Sequence, residues 1–274
     1  MRVAAVELLV HVASRPNNPT SAVLRALTSD PDNRNAQALS AISEARKLNP
    51  AFILCPGWTF VGAPPKSLAR VANGATVIFE VLSSDTRRAA PSNKLSIKGA
   101  PKNHENNYPW NSFVLENGII RKCPSQVVAQ GQELNTPSIA EKLAQTLMSP
   151  GRLVGRGRLV TCGEVNVMRF RQRNGERECI WDPLVASAGV RARDFAGHTV
   201  FNPAHTPSSS YMHRKRRLGP WKNIVTTANQ LDYKKLGCRA MPSPTRAYVD
   251  KGPLEAECEL NVGSGRVLLF NLWG

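Results

Sequence analysis

Short apolar blocks alternate along this chain with apolar residues at helical spacing. Val3–Val10 is rich in branched aliphatics and predicts a buried strand. The polar stretch that follows contains Pro16, Pro19 and Pro31 and predicts loop. Ala36, Leu39, Ile42, Ala45 and Leu48 recur every third residue. That spacing predicts an amphipathic helix with one apolar stripe, stopped by Asn49-Pro50. Ala51–Cys55 predicts a second strand, ended by Pro56-Gly57. Ser67–Val71 predicts a short helix, and Ala75–Leu82 a third strand. Ser83–Pro109 is polar, has no period and predicts a long surface loop.

Asn111–Leu115 and Ile119–Lys122 flank Glu116-Asn117-Gly118, a hairpin signal because Asn-Gly accepts positive φ. Ile139, Leu143 and Leu147 predict another helix. Arg158–Cys162, Thr199–Asn202 and Ile224–Asn229 predict further strands. Leu254–Leu260 and Gly265–Phe270 predict an antiparallel pair around Gly263-Ser264-Gly265. Strands alternate with helices in the first half, and hairpins appear at the centre and the end. This order predicts an α/β layered fold with a mixed sheet. With no internal repeat and no shift of composition, residues 1–274 read as a single domain.

Composition narrows the class. The chain has 274 residues, of which 42% are hydrophobic and 20% charged, enough to build a core without staples. No apolar run approaches the ~20 residues that span a bilayer, which excludes a membrane-embedded enzyme on this reading. Glu7 breaks the first apolar block and speaks against a signal peptide. The six cysteines are widely spread and form no C-x-x-C pair. Their spacing argues against a structural zinc site or a disulfide scaffold. It predicts reduced thiols in a cytoplasmic protein, with no metal and no cofactor.

Charge is the strongest compositional signal. Lys and Arg number 36 against 20 Asp and Glu, a formal net charge of +16. Such a surplus suits nucleic acid, an anionic surface or an acidic substrate, or solubility alone. The densest run is His213-Arg214-Lys215-Arg216-Arg217, with Trp221-Lys222 beyond it. Arg152, Arg156, Arg158, Arg169, Arg171 and Arg173 form a second basic region. A solvated helix face is the plainest reading of the run, followed by an electropositive approach for an anionic substrate. Nucleic acid comes last, because such sites interleave aromatics, and only Tyr211 and Trp221 flank the run.

Candidate chemistry lies at strand ends, where ligands of α/β proteins sit. Cys162 ends the run Arg-Leu-Val-Thr-Cys and precedes Gly163 and Glu164, and Lys122 ends the hairpin. A nearby cation or base turns a thiol into a nucleophile. The Gly163 N–H beside it suits a developing oxyanion. A strand-end Cys is more often a small buried hydrophobe than a nucleophile, and a hairpin Lys more often a solvated charge.

The order of these pieces is more specific. Val3-Ala4-Ala5-Val6-Glu7-Leu8 opens the chain, and a helix leads to Pro50-Ala51-Phe52-Ile53-Leu54-Cys55-Pro56. Asn111-Ser112-Phe113-Val114, Gly118 and Arg121-Lys122 form the hairpin, and Arg158–Glu164 carries the Cys. Asn202-Pro203-Ala204-His205, Thr227-Ala228-Asn229 and Tyr248-Val249-Asp250 before Gly252 follow. From Arg2 to about Asn271 this succession resembles the nitrilase superfamily of carbon–nitrogen hydrolases, each motif in degenerate form.

The resemblance implies an α-β-β-α sandwich with a mixed sheet, a homodimer or higher homo-oligomer, and a small amide or nitrile as substrate. It also implies a Glu–Lys–Cys triad, in which the Cys thiolate attacks and a thioester is hydrolysed. Carried over by position, Cys162 is the nucleophile, Lys122 the oxyanion-side cation and Gly163 N–H the rest of the hole. The position that carries the family's Glu is Gly57, so the standard triad is incomplete. Either the chain is a catalytically impaired relative with a binding or regulatory role, or the carboxylate has moved to Glu80, at the end of the next strand. Neighbouring strand ends lie about 5 Å apart, and Gly57 leaves room. By the same resemblance Glu133 is a second, substrate-positioning Glu. Glu164 contacts substrate or pairs with an Arg, and His205 lines the pocket or is a structural hydrogen bonder.

Overall fold

A computed structural model of the chain describes residues 1–12, 19–84, 108, 110–128, 137–205, 210–232, 245–263 and 265–272. The first half runs β1 (Arg2–His11), α1 (Pro19–Ser29), α2 (Pro31–Lys47), β2 (Phe52–Leu54), β3 (Phe60–Val61) and α3 (Leu68–Ala72). Then come β4 (Thr76–Leu82), β5 (Trp110–Glu116), β6 (Ile119–Lys122), α4 (Pro137–Met148), β7 (Leu153–Val154) and β8 (Gly157–Leu159). A 3-10 turn at Glu164–Val167 leads to β9 (Met168–Arg173), β10 (Glu176–Trp181), α5 (Pro183–Ser187), α6 (Arg193–Ala196) and β11 (Thr199–Pro203). The chain continues through α7 (Ser210–Leu218), β12 (Asn223–Thr227) and β13 (Gln230–Asp232). It closes with β14 (Arg246–Val249), β15 (Gly252–Leu254), β16 (Cys258–Val262) and β17 (Gly265–Asn271).

Two mixed sheets stack between two helical layers. The first has the order β16-β17-β1-β2-β4-β5-β6, with β13 on β1 and β3 on β4. The second has the order β15-β14-β12-β11-β8-β7, and β9 and β10 form a separate ribbon. One core lies between the sheets: Val3, Ala5, Leu54, Ile78 and Val114 face Leu159, Phe201, Val225 and Ala247. A second core packs Ala38, Ala41, Ile42 and Ala45 of α2 on Ala4, Val6, Ile53 and Phe79 of the first sheet. A third packs Ile139, Leu143 and Leu147 of α4, with Phe195 and Met212, on Val200 and Ile224 of the second sheet. The expected α-β-β-α sandwich is therefore present. No helix among the described residues is long and apolar enough to cross a membrane.

Several local expectations change. The stretch around Pro19 and Pro31 is helix, not loop. Proline is tolerated in a first turn, where its missing N–H has no partner to lose. Pro31 opens α2, and the Asp30 side chain caps it by accepting from Asn33 N. The apolar stripe shifts too: Ala36 is exposed, while Arg34, Ala38, Ala41, Ile42 and Ala45 are buried. β8 ends at Leu159, so Cys162 sits on a turn beyond it rather than in the strand. The expected strand Leu254–Leu260 is split between β15 and β16. The β9–β10 ribbon turns at Asn174-Gly175, both with positive φ. Most of the expected loop at Ser83–Pro109 lies outside the described residues.

Candidate active site

β4 places the first member. Along Thr76–Leu82, Val77, Phe79 and Val81 face the helical layer, while Ile78 faces the second sheet. Glu80 shares the Ile78 face by the two-residue period of a strand. It is fully buried. A carboxylate there is tolerable only if hydrogen-bonded. Glu80 Oε2 lies 2.7 Å from His205 Nε2 and accepts from Trp58 N at 3.2 Å. Oε1 accepts from Ser112 Oγ at 3.3 Å, and Ser112 is its register partner on β5.

His205 follows β11 across a parallel ladder and lies almost fully buried. The Trp58 ring stacks on the imidazole at 4.2 Å and 9°, and Trp110 meets it edge-on at 4.8 Å. Asn229 fastens the segment from beneath: its Nδ2 donates to His205 O at 2.8 Å and to Gly57 O at 2.7 Å. Asn229 Oδ1 in turn accepts from Arg34 Nη2 at 2.6 Å. Arg34 also donates to Trp58 O and Thr59 O. Burial lowers this guanidinium to about 9.

Gly57 is what makes room. A Cβ there would lie 2.2 Å from His205 Cδ2, 3.0 Å from His205 Nε2 and 3.1 Å from Glu80 Oε2. The residue that departs from the expected carboxylate position thus leaves the space that the Glu80–His205 pair fills.

Cys162 is buried in a small cluster with Ala204 and Ala228. The His205 side chain and backbone both act electrostatically on its sulfur. Burial alone would push Cys162 up, but the His205 hydrogen bond and charge, with the charge of Arg216, hold it below the ordinary thiol range. Cys55, Cys123 and Cys179 behave oppositely, and burial holds each above that range. Burial would also lower His205, but the Glu80 charge, with the interactions of the ring with Cys162 and Glu80, raises it to about 9. The site therefore favours a thiolate beside an imidazolium.

Glu164 has a different part. It is fully buried and takes Arg152 Nη1 at 3.0 Å and Nη2 at 2.8 Å. It also accepts from Thr161 N at 2.8 Å. Of the two alternatives for Glu164, the pairing with an Arg is the one realised, and it pins the turn that carries Cys162. Gly163 follows in right-handed helical conformation, and among the described residues its N–H meets no acceptor.

Lys122 is not brought to this cluster. Cys123 faces the core between the sheets, so Lys122, one residue earlier, lies on the opposite face and is exposed. Its register partner Phe113 packs with the helical layer, which is consistent with that orientation. Glu133 lies outside the described residues. His205 was expected only as a pocket or structural residue. Its contact with both Glu80 and Cys162 is what sequence reading missed, although Gly57, Glu80 and a His just after Asn-Pro-Ala were all visible signals. No group of three or more His, Cys, Asp or Glu among the described residues is placed to hold a metal ion.

No family model matches the sequence, and no curated protein matches it either. Among solved structures, the chain is similar to a cysteine-to-alanine mutant of Nesterenkonia AN1 amidase from the nitrilase superfamily. The TM-score is 0.40 at 12% sequence identity, over 99% of this chain and 90% of that one.

Proposed function

We propose that the protein is a thiol-dependent hydrolase of a carbon–nitrogen bond in a small amide or nitrile, with Cys162 as nucleophile and His205 as its base. One observation carries this reading: Glu80, His205 and Cys162 are buried together, with Glu80 Oε2 2.7 Å from His205 Nε2 and His205 holding the Cys162 thiol below its ordinary range. The carboxylate has moved from the position of Gly57 to Glu80, and it acts through His205 rather than on the sulfur directly. The motif order quoted above supplies the substrate class.

For an amide the steps balance as follows. The Cys162 thiolate attacks the carbonyl carbon, and the oxyanion forms beside the Gly163 N–H. The C–N bond breaks as His205 gives its proton to the departing amine, leaving a thioester. Water then attacks the thioester carbon and gives a proton to His205. The C–S bond breaks and the thiolate returns. Glu80 fixes the tautomer and stabilises the imidazolium in both halves.

Turnover of a panel of small amides and nitriles, anionic acyl groups included, tests this reading. Cys162→Ala is expected to abolish it, and Glu80→Gln to slow it by roughly 10²-fold or more. A parent chain that turns over none of them, and whose Cys162 is alkylated like a free cysteine, would overturn the assignment.

A further inference from the structure

Arg216 comes from α7, which packs against β9, β10 and the 3-10 turn after Cys162. Its side chain is almost completely buried. Nε donates to Asn202 Oδ1 at 2.8 Å, while Nη2 is buried with no hydrogen-bond partner. Asn202 is itself fixed: it donates to Val160 O at 2.6 Å and accepts from Thr226 Oγ1 at 3.1 Å. The guanidinium is thus clamped to the end of the segment that leads into Cys162.

Among the described residues no carboxylate pairs with Arg216. An arginine keeps its charge when buried, and a buried charge without a counter-ion is costly. Glu80 is taken by His205, Trp58 N and Ser112, and Glu164 by Arg152 and Thr161 N. Burial lowers the guanidinium, and two acids, Cys162 and Tyr248, act on it electrostatically in the opposite direction. Burial holds the Tyr248 phenol above its ordinary range, so it stays neutral. The other neighbours are basic: Arg246 and Arg217 face Tyr248 from β14 and α7. His213 is held down to about 4 by burial and by Arg216 and Arg246. Among the described residues, Cys162 is the one anion left to balance the charge.

We infer that Arg216 is a positioning residue whose guanidinium, clamped by Asn202, is a counter-ion of the Cys162 thiolate. This inference rests on Cys162 being the nucleophile. The residues that set the state of the thiol are then His205 after β11, Arg216 on α7 and, through His205, Glu80 on β4.

The test is the rate of Cys162 alkylation by iodoacetamide against pH, read by mass spectrometry on the full chain. In the parent, half-maximal reactivity is expected below the ordinary thiol range. Arg216→Lys keeps the charge and is expected to stay close to the parent. Arg216→Met is expected to move the inflection up by about one pH unit, making alkylation about tenfold slower at pH values well below the parent's inflection. An Arg216→Met chain with native circular dichroism and the parent's profile would overturn the inference. Where Arg216→Met does not fold, His205→Gln decides. With Arg216 as counter-ion its inflection stays below that of Cys55, Cys123 and Cys179 in the same chain. An inflection equal to theirs overturns the inference. A parent Cys162 that reacts like those thiols would instead overturn the proposed function itself.

Discussion

Glu80 and Glu164 are the same residue type, equally buried, and both are one contact away from Cys162 or its turn. Their partners make them different. Glu164 faces Arg152 through two hydrogen bonds of 2.8 and 3.0 Å. A guanidinium does not give up its proton, so that pair holds shape and moves nothing. Glu80 faces His205, whose ring can release and take back a proton. That pair can pass a proton to and from the sulfur. Burial makes both pairs obligatory, and the pKa of the partner decides which one does chemistry.

The largest expected break in this contrast is Arg152→Met. It leaves Glu164 buried without its cation, which costs about 3–5 kcal/mol. The urea midpoint is expected to fall accordingly, and adding Glu164→Leu to recover much of the loss. A midpoint unmoved by Arg152→Met would mean that the pair does not pin the turn. Gly57→Ala strikes the other pair. Its Cβ would sit 2.2 Å from His205 Cδ2, so the ring must shift off Glu80. Overpacking of this kind costs about 1–3 kcal/mol. Alkylation of Cys162 should then need a higher pH, while the Arg152–Glu164 side stays intact. An unchanged alkylation profile would separate Glu80 from the chemistry. Lys122→Ala should do least: stability within about 0.5 kcal/mol of the parent and the same Cys162 reactivity. A large loss of turnover in that variant would restore the Lys122 role that the exposed geometry denies.

Much of the fold was legible because it is local. Block lengths and spacings marked β1, α2, β2, β4 and β12, and Asn117-Gly118 marked the β5–β6 hairpin. Errors arose where a local signal had two meanings. Proline reads as loop, yet Pro31 opens α2. Helical spacing at Ala36–Leu48 named the helix but rotated its buried face, because the Arg34 side chain turns inward to the carbonyls of Trp58 and Thr59. The Asn174-Gly175 turn is as clear a local signal as Asn117-Gly118, set among arginines.

The candidate site divides in the same way. Cys162, Glu80 and His205 were each visible as reactive types near turns, and Gly57 as a missing carboxylate. What joins them was not visible. Glu80 and His205 are 125 residues apart, and no periodicity relates them. Lys122 was placed in the site by order along the chain, but strand alternation puts its side chain on the other face. A shift of one residue along a strand reverses which side a residue serves. The basic residues show the same limit, since composition counts Arg152, Arg216 and Arg217 alike. In the fold Arg152 is paired with Glu164, Arg216 is buried and bound to Asn202, and Arg217 is exposed. Sequence alone determined the layered α/β character and the reactive side chains, because periodicity and residue chemistry are properties of the chain. The tertiary structure decided which carboxylate meets the histidine and which cation faces the thiol, because hydrogen bonds and charge pairs act over a few ångströms and depend on how distant segments pack.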